Sequence, residues 1–433
     1  MIASLSGIRG ILNRDLDLAD VSRFAVNFGK ATGSKVFLLA RDPRNTGPTI
    51  CKAVTAGLAS LGATVHDYGI ISTPALFRES RKSGLPAVMV TASHNEPEFN
   101  GLKFLVEGAG VNEEMFAQII GGEGTRSTPF ELGAVKKENR TAYAGDLVDR
   151  FGTGSCEGVR VAVDLGGGAA ITHAVPLLGQ LGCEVTSMND SYGVFDRKVD
   201  PVADELGLLR KTVRQKGCDV GLGFDGDGDR LVIVDSSGRK RTGDFMLTLA
   251  LSEMLAETGE KKVVVSVDTT QAVDDVAKGA GAEVFRSKVG EANVVGQMKE
   301  QGARLGGEGS SGGLIDGSFN YCRDSMLAAL SIIRALKREG RSFYESVPVY
   351  QQERVAFTIP KAKALKGIKK LAARYKGADL TDGLKIGLPD RSWVLIRPSG
   401  TEDLVRVSAE APSSEKANQL TKSFAKKLRE LSG

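Results

Sequence analysis

Val161-Ala162-Val163-Asp164, followed by a Gly/Ala/Leu-rich segment and then Gly182-Cys183-Glu184-Val185, decides the fold. The first run is short, apolar and β-branched and stops at an aspartate, as a strand buried in a parallel sheet does. The segment after it suits a helix, and Gly-x-x-Val marks the turn into a second strand. Strand, helix, strand at this spacing is a βαβ unit with a right-handed crossover. The pattern occurs twice more. Val36-Phe37-Leu38-Leu39-Ala40 ends in Arg41-Asp42 and is answered by Gly62-Ala63-Thr64-Val65. Val263-Val264-Val265-Ser266-Val267 ends in Asp268 and is answered by Gly281-Ala282-Glu283-Val284. Three copies predict three related α/β domains with mixed sheets, over residues 1–150, 151–252 and 253–348.

Residues 349–433 read differently. Trp393-Val394-Leu395-Ile396 and Leu404-Val405-Arg406-Val407 are two strands around a Pro-Ser-Gly turn. Ala417, Leu420, Phe424, Leu428 and Leu431 mark one face of a helix that Ser413 or Ser414 would cap. The result is a small α+β domain. The charged segment Lys361 to Lys376 is expected to open it, after a long helical stretch around Ser325 to Arg338. The predicted architecture is four domains around a central cleft.

Composition narrows the chemistry. The 433 residues carry 57 Lys and Arg against 53 Asp and Glu, a net charge of +4. That excludes a strongly basic nucleic-acid binder. Glycine is abundant at 53, against a typical ~7% of residues, while histidine is scarce at 3. Such an enzyme works with backbone amides, carboxylates and cationic side chains rather than with imidazole clusters. Cysteines 51, 156, 183, 218 and 322 contain no C-x-x-C, and the nearest pair is 27 positions apart. They predict isolated, reduced thiols. Neither a basic-then-apolar leader nor a membrane-length apolar stretch is visible, so a soluble cytoplasmic protein is expected, with no membrane partner.

Four loops stand out. Thr91-Ala92-Ser93-His94-Asn95 follows the apolar run Ala87 to Val90, so Ser93 falls at the carboxyl edge of a sheet, where α/β ligands bind. Adjacent residues point apart, which makes His94 a poor general base for Ser93. Asp225-Gly226-Asp227-Gly228-Asp229-Arg230 places three carboxylates within five residues. They repel one another unless a cation lies between them, and hard oxygen ligands imply Mg²⁺ or Ca²⁺. The calcium-loop pattern fails, because Arg230 stands where its glycine belongs. In Gly306-Gly307-Glu308-Gly309-Ser310-Ser311-Gly312-Gly313, glycines surround one carboxylate and two hydroxyls that can read a polar ligand. Arg397-Pro398-Ser399-Gly400-Thr401-Glu402 offers a guanidinium, two hydroxyls and consecutive N–H groups, an anion nest. No P-loop is present. Together the four loops predict phosphoryl transfer.

TASHN, DGDGDR, the Glu308 loop and Arg397-x-Ser-Gly-Thr-Glu, in this order and one per domain, resemble the α-D-phosphohexomutase family over essentially the whole chain. Ser6-Gly7-Ile8-Arg9-Gly10 is similar to that family's opening. The resemblance implies a phosphorylated Ser93 and Mg²⁺ bound by a phosphoserine oxygen with Asp225, Asp227 and Asp229. It implies a hexose 1,6-bisphosphate intermediate that turns round between two half-reactions. Lys103 is the implied general acid/base, which calls for a lowered pKa that Mg²⁺ and arginines would supply. Arg9, His94 and Arg230 would steady the phosphoserine. Lys288, Glu308 and a following serine would hold the sugar, and Arg397, Ser399, Gly400 and Thr401 its distal phosphate. The sugar loop is one residue longer than the family pattern, so Ser310 and Ser311 both qualify. Asp403, in place of the usual proline, would put a negative charge near the anion site unless it points away. The partner implied is a small sugar phosphate, the enzyme being a monomer or homodimer. SGIRG and the K-V-G-E stretch favour the branch acting on glucosamine phosphates over mannose and glucose phosphates. A metal-dependent phosphatase and a silent sugar-phosphate binder are the alternatives.

Overall fold

The protein, seen in a computed structural model, is described over residues 1–124, 132–399 and 403–432. Its strands there form four sheets. In the second, Arg160–Asp164 lies between Glu184–Met188 and Val220–Phe224, parallel to both, and Leu231–Asp235 returns antiparallel. The third repeats this arrangement with Lys262–Ser266, Glu283–Ser287, Leu305–Glu308 and antiparallel Gly313–Asp316. The first contains it again as Val36–Arg41, Thr64–Ile70, Ala87–Val90 and antiparallel Phe99–Val106, extended by short strands at both edges. The three predicted βαβ units are therefore present, with parallel partners as the sequence requires. The helix Gly243–Thr258 runs through position 252, where the sequence divides the second region from the third. Its Leu247, Leu251 and Met254 are enclosed, and it packs on Ser325–Glu339.

The repeat has a consequence for the loops. In each α/β unit the third parallel strand turns back into an antiparallel fourth, and the turn is one of the unusual loops: TASHN, DGDGDR and Glu308 to Gly313. The C-terminal sheet is wholly antiparallel, and its Arg397 loop again joins two neighbouring strands, Trp393–Pro398 and Leu404–Ala411. Three chemically different loops thus occupy corresponding turns.

That last sheet departs from expectation at its start. It opens with the strand Gln351–Thr358, ahead of the helix Lys361–Ala372. Gln351-Gln352-Glu353-Arg354 has no apolar residue because this is an edge strand, partly solvated throughout, with little need for them. The Asp403 carboxylate accepts from the N–H of Lys361 at 3.0 Å and serves that helix's N-terminus. The C-terminal helix, Ser414–Ser432, buries Ala417, Phe424 and Leu428, and Ser413 caps it.

One continuous apolar core joins the first three units, from Leu76 and Phe77 through Leu177 and Phe224 to Met246 and Leu327. The fourth has its own core, around Val394, Ile396, Phe424 and Leu428. Among the described residues no helix is long and apolar enough to cross a membrane.

Candidate active site

Ser93 is fully buried and takes a left-handed backbone, φ 53°. A residue with a Cβ holds that conformation only where its surroundings impose it. Arg44 imposes it here. Arg44 and Asp42 are both enclosed and ion-paired at 3.0 Å. The guanidinium donates to the carbonyls of Ser93, Asn95, Glu96 and Phe99, gripping the whole serine loop. Thr91 Oγ1 donates to Asp42 at 2.6 Å and accepts from the Ser93 N–H at 2.8 Å. The second unit repeats the device: Asp164 pairs with Arg197 at 3.0 Å, and Arg197 donates to the Phe224 carbonyl at 2.6 Å, at the entrance of the aspartate loop. The strand-ending aspartates were visible in sequence; the arginines that complete these braces carried no signal of their own.

The aspartate loop lies directly against the serine. A Cβ on Gly226 would come within 2.9 Å of the Ser93 carbonyl oxygen, and Gly228 turns at φ +70°, so glycine is required at both positions. Asp225, Asp227 and Asp229 are fully buried, and one oxygen from each lies within 4.8 Å of the others. Ser93 Oγ donates to Asp225 Oδ2 at 3.1 Å. Asp227 Oδ1 and Asp229 Oδ1 are buried without a hydrogen-bond donor. Orphaned anionic oxygens in a dry site are costly, and their number, hardness and convergence fit Mg²⁺. Burial first, then the charges of Asp227 and Asp229, push Asp225 well above the carboxylate range. Burial opposes ionisation of Asp229 as well, but Arg323, Lys103 and Arg230 outweigh it and hold that carboxyl far below its usual value.

Lys103, on Phe99–Val106, reaches Asp227 at 2.7 Å and Asp229 at 3.0 Å. Burial acts to lower its pKa, but these two carboxylates more than offset it, and the ammonium is held above its ordinary value. Lys103 thus rests on acidic oxygens, with the charge of Arg323 opposing them. His94 is a neutral imidazole, held at about 2 by burial and then by Arg230, Arg9 and Arg323. Arg9 donates to Asn95 Oδ1 at 2.8 Å. Arg230 approaches Asp200 at 3.5 Å, and its buried Nε lacks a hydrogen-bond partner.

Sequence reasoning missed the central cation. Arg323 is buried and donates to Asp229 Oδ2 at 2.8 Å and to Glu308 Oε2 at 3.0 Å, and its Nε lies 3.3 Å from Glu291. It ties the aspartate loop to the Glu308 loop. Glu308 Oε1 accepts from the Gly290 N–H at 2.6 Å, holding the turn that carries the exposed Lys288. Next to it, the Val289 N–H donates to Asp382 at 3.1 Å, and Asp382 pairs with Arg397 at 2.8 Å. The extra residue of the Glu308 loop is absorbed in a 3₁₀ turn, Gly309–Ser311, that sends the two serines different ways. Ser311 Oγ accepts from Arg323 at 3.4 Å, whereas Ser310 lines a separate cavity of about 340 Å³ with Val202, Lys240 and Arg354. Ser399 is buried, its N–H donating to the Leu404 carbonyl. Gly400 and Thr401 lie outside the described residues.

The chain as a whole is similar to known proteins. The chain matches the phosphoglucomutase/phosphomannomutase alpha/beta/alpha domains I, II and III over residues 2–124, 143–238 and 242–352, and the C-terminal domain over 354–427. It is 34% identical to a probable phosphoglucosamine mutase of Methanopyrus kandleri, covering 97% of this chain and 96% of that one. It is 33% identical to a phosphoglucomutase/phosphomannomutase of Thermococcus kodakarensis, covering 98% and 97%. A crystal structure of a family protein from Burkholderia thailandensis superposes with a TM-score of 0.85 at 26% identity, covering 99% of this chain and 98% of that one. The chain belongs to the phosphoglucomutase/phosphomannomutase family of α-D-phosphohexomutases. It is a mutase, an isomerase that shifts a phosphoryl group within a hexose phosphate.

Proposed function

We propose that this mutase works through a phosphoserine at Ser93 and a hexose 1,6-bisphosphate intermediate, with glucosamine 6-phosphate and glucosamine 1-phosphate as its preferred pair. The carrying observation is Ser93 Oγ, fully buried and 3.1 Å from Asp225, beside carboxylate oxygens that have no donor. Mg²⁺ held by Asp225, Asp227, Asp229 and an oxygen of the modified serine would supply electrostatic stabilisation of the transferring group. The chain does the rest. Arg44 and Asp42 hold the serine loop in its strained form. Arg9, Arg230 and the neutral His94 orient the phosphoserine oxygens. Lys103 moves the proton of the attacking or leaving sugar hydroxyl. Glu308, Lys288 and Ser311 hold the sugar, Ser311 being preferred over Ser310 because it shares Arg323 with Glu308. Arg397, Ser399, Gly400 and Thr401 anchor the distal phosphate. Enclosure of Ser93 keeps water from the phosphoserine, which argues against a phosphatase.

Glucosamine is favoured by SGIRG, by the K-V-G-E stretch and by a relative named for that sugar at 34% identity. The test supplies Mg²⁺, a trace of hexose 1,6-bisphosphate, and glucosamine, mannose or glucose 1-phosphate in turn. The expected result is conversion to the 6-phosphate, fastest for glucosamine. Free phosphate without a 6-phosphate would overturn the mutase chemistry, and a faster mannose or glucose reaction would overturn the sugar.

A further inference from the structure

Arg323 belongs to none of the four loops, yet the chain is built to deliver it between two of them. It directly precedes Asp324, which caps the helix Ser325–Glu339 by accepting from the Leu327 N–H at 3.0 Å. Met326, Leu327 and Leu330 seat that helix in the core shared by the first three units. Ser325 Oγ donates to the Gly228 carbonyl at 2.6 Å, within the aspartate loop, and the Arg323 N–H donates to Glu291 at 2.9 Å. The arginine stem then passes the end of the Glu308 loop. A Cβ on Gly313 would lie 2.2 Å from Arg323 Cδ and 2.4 Å from its Cγ, so this glycine clears the stem's path. The guanidinium reaches two carboxylates with different nitrogens. Nη2 donates to Asp229 Oδ2, which also accepts from Lys103, and Asp229 Oδ1 is left without a donor. Nη1 donates to Glu308 Oε2, while Glu308 Oε1 accepts from the Gly290 N–H. One rigid group thus orients a carboxylate of the aspartate loop and the carboxylate of the Glu308 loop.

We propose that Arg323 is a positioning residue that makes Mg²⁺ binding and sugar-phosphate binding cooperative. The role rests on the proposed function, which gives Mg²⁺ to the three aspartates and the sugar to Glu308, and it adds the link between them. A guanidinium is planar, and its two terminal nitrogens keep a fixed separation. Whatever steadies Asp229 steadies the group bonded to it, and with it Glu308. Mg²⁺ at the aspartates therefore pre-orders the carboxylate that meets the sugar, so less freedom remains to be lost when the sugar arrives. Linkage makes the effect mutual: a sugar held by Glu308 tightens Mg²⁺ by the same factor. Phosphoryl transfer gains from this, because the aspartate cage is then strongest when a hexose is seated beside it. A lysine at this position would not serve. Its ammonium is a compact donor on a flexible stem and can follow one carboxylate while releasing the other.

Calorimetric titration of the full-length protein with Mg²⁺, alone and with saturating glucosamine 6-phosphate, tests the coupling, together with the reverse titration. Mannose or glucose 6-phosphate takes the place of glucosamine 6-phosphate if either is turned over faster. In the wild type each ligand should raise the other's affinity by the same factor, at least ~5-fold. Mg²⁺ also attracts the sugar's phosphate directly, but that attraction is common to every variant. Arg323→Lys should therefore lose most of the factor. Gly313→Ala should do the same with the charge kept, because its methyl group displaces the arginine stem, and it decides alone should Arg323→Lys fail to fold. A merely structural role would lower the melting temperature or weaken both ligands while leaving their mutual factor as in the wild type, and that result would overturn the coupling. So would wild-type protein that binds both ligands with no mutual effect, which would leave the proposed sites standing. Wild-type protein that binds no Mg²⁺ would overturn those sites and the coupling together.

Discussion

The two ends of the cleft are built differently. At the end where we propose the chemistry occurs, Ser93, Asp225, Asp227 and Asp229 rise from units that share one apolar core, and buried ions lock their loops together: Arg44 on Asp42, Lys103 on Asp227 and Asp229, Arg323 on Asp229, Glu291 and Glu308. At the other end, the C-terminal domain keeps its own core and meets the third unit through a small apolar contact of Val267 and Val289 with Trp393 and Leu395. Around that contact are polar ties: Lys385 to the Val267 carbonyl, Arg391 to Asp275, Glu410 to the Gln271 N–H, and Asp382 to the Val289 N–H. One end is fixed to the precision that phosphoryl transfer demands. The other is fastened by bonds that can part without exposing a large core. Such a division suits a reaction in which a bisphosphate must turn round while the reacting groups hold still.

The contrast can be broken at either end. Asp227→Ala removes a proposed cation ligand and the partner of Lys103 and Thr73, and turnover should fall at least ~10²–10³-fold with weaker Mg²⁺ binding by calorimetry. Full activity would contradict the fixed end. Arg323→Ala leaves Asp229, Glu308 and Glu291 without their shared cation. Unfolding free energy in denaturant should drop by about 3–5 kcal/mol, the cost of removing one member of a buried ion cluster. Arg323→Lys should recover part of it, because an ammonium cannot span three carboxylates as a guanidinium fork does. Arg397→Ala acts at the other end: KM for hexose phosphates should rise ~10–100-fold while stability is nearly unchanged, consistent with a charged anchor that is only partly buried.

The smallest effect concerns docking of the fourth domain. Lys385 lies over Trp393, with Arg286, Asp274, Asp379 and Glu410 around it, and burial, then Arg286, hold it at about 8. A lysine depressed below 10.5 penalises the docked state while it is charged. The penalty is complete below about pH 8 and fades as pH rises toward 10.5. Protease resistance of the junction should therefore increase across that window in the wild type and stay flat in Lys385→Met.

Much of this was legible in sequence wherever a local pattern carried it. The βαβ repeats announce themselves through β-branched runs and Gly-x-x-Val turns, and the aspartate cage through carboxylates spaced by glycine. What was hidden depends on chain reversal. Arg323 completes the site from just ahead of a helix, 94 positions beyond Asp229, and Arg44 braces a loop 49 positions away. No single stretch records those meetings. The strand Gln351–Thr358 was hidden for the opposite reason, since an edge strand in partial contact with water shows little apolar alternation.

If Ser93 carries the phosphoryl group between the two ends of the sugar, the intact mass of the protein will show it. Wild-type protein treated with Mg²⁺ and hexose 1,6-bisphosphate should gain about 80 Da, localised to Ser93 and discharged by excess glucosamine 6-phosphate, with Ser93→Ala gaining nothing. A wild-type protein that turns substrate over without ever carrying that mass, or a Ser93→Ala variant that carries it, would rule out Ser93 as the phosphoryl carrier.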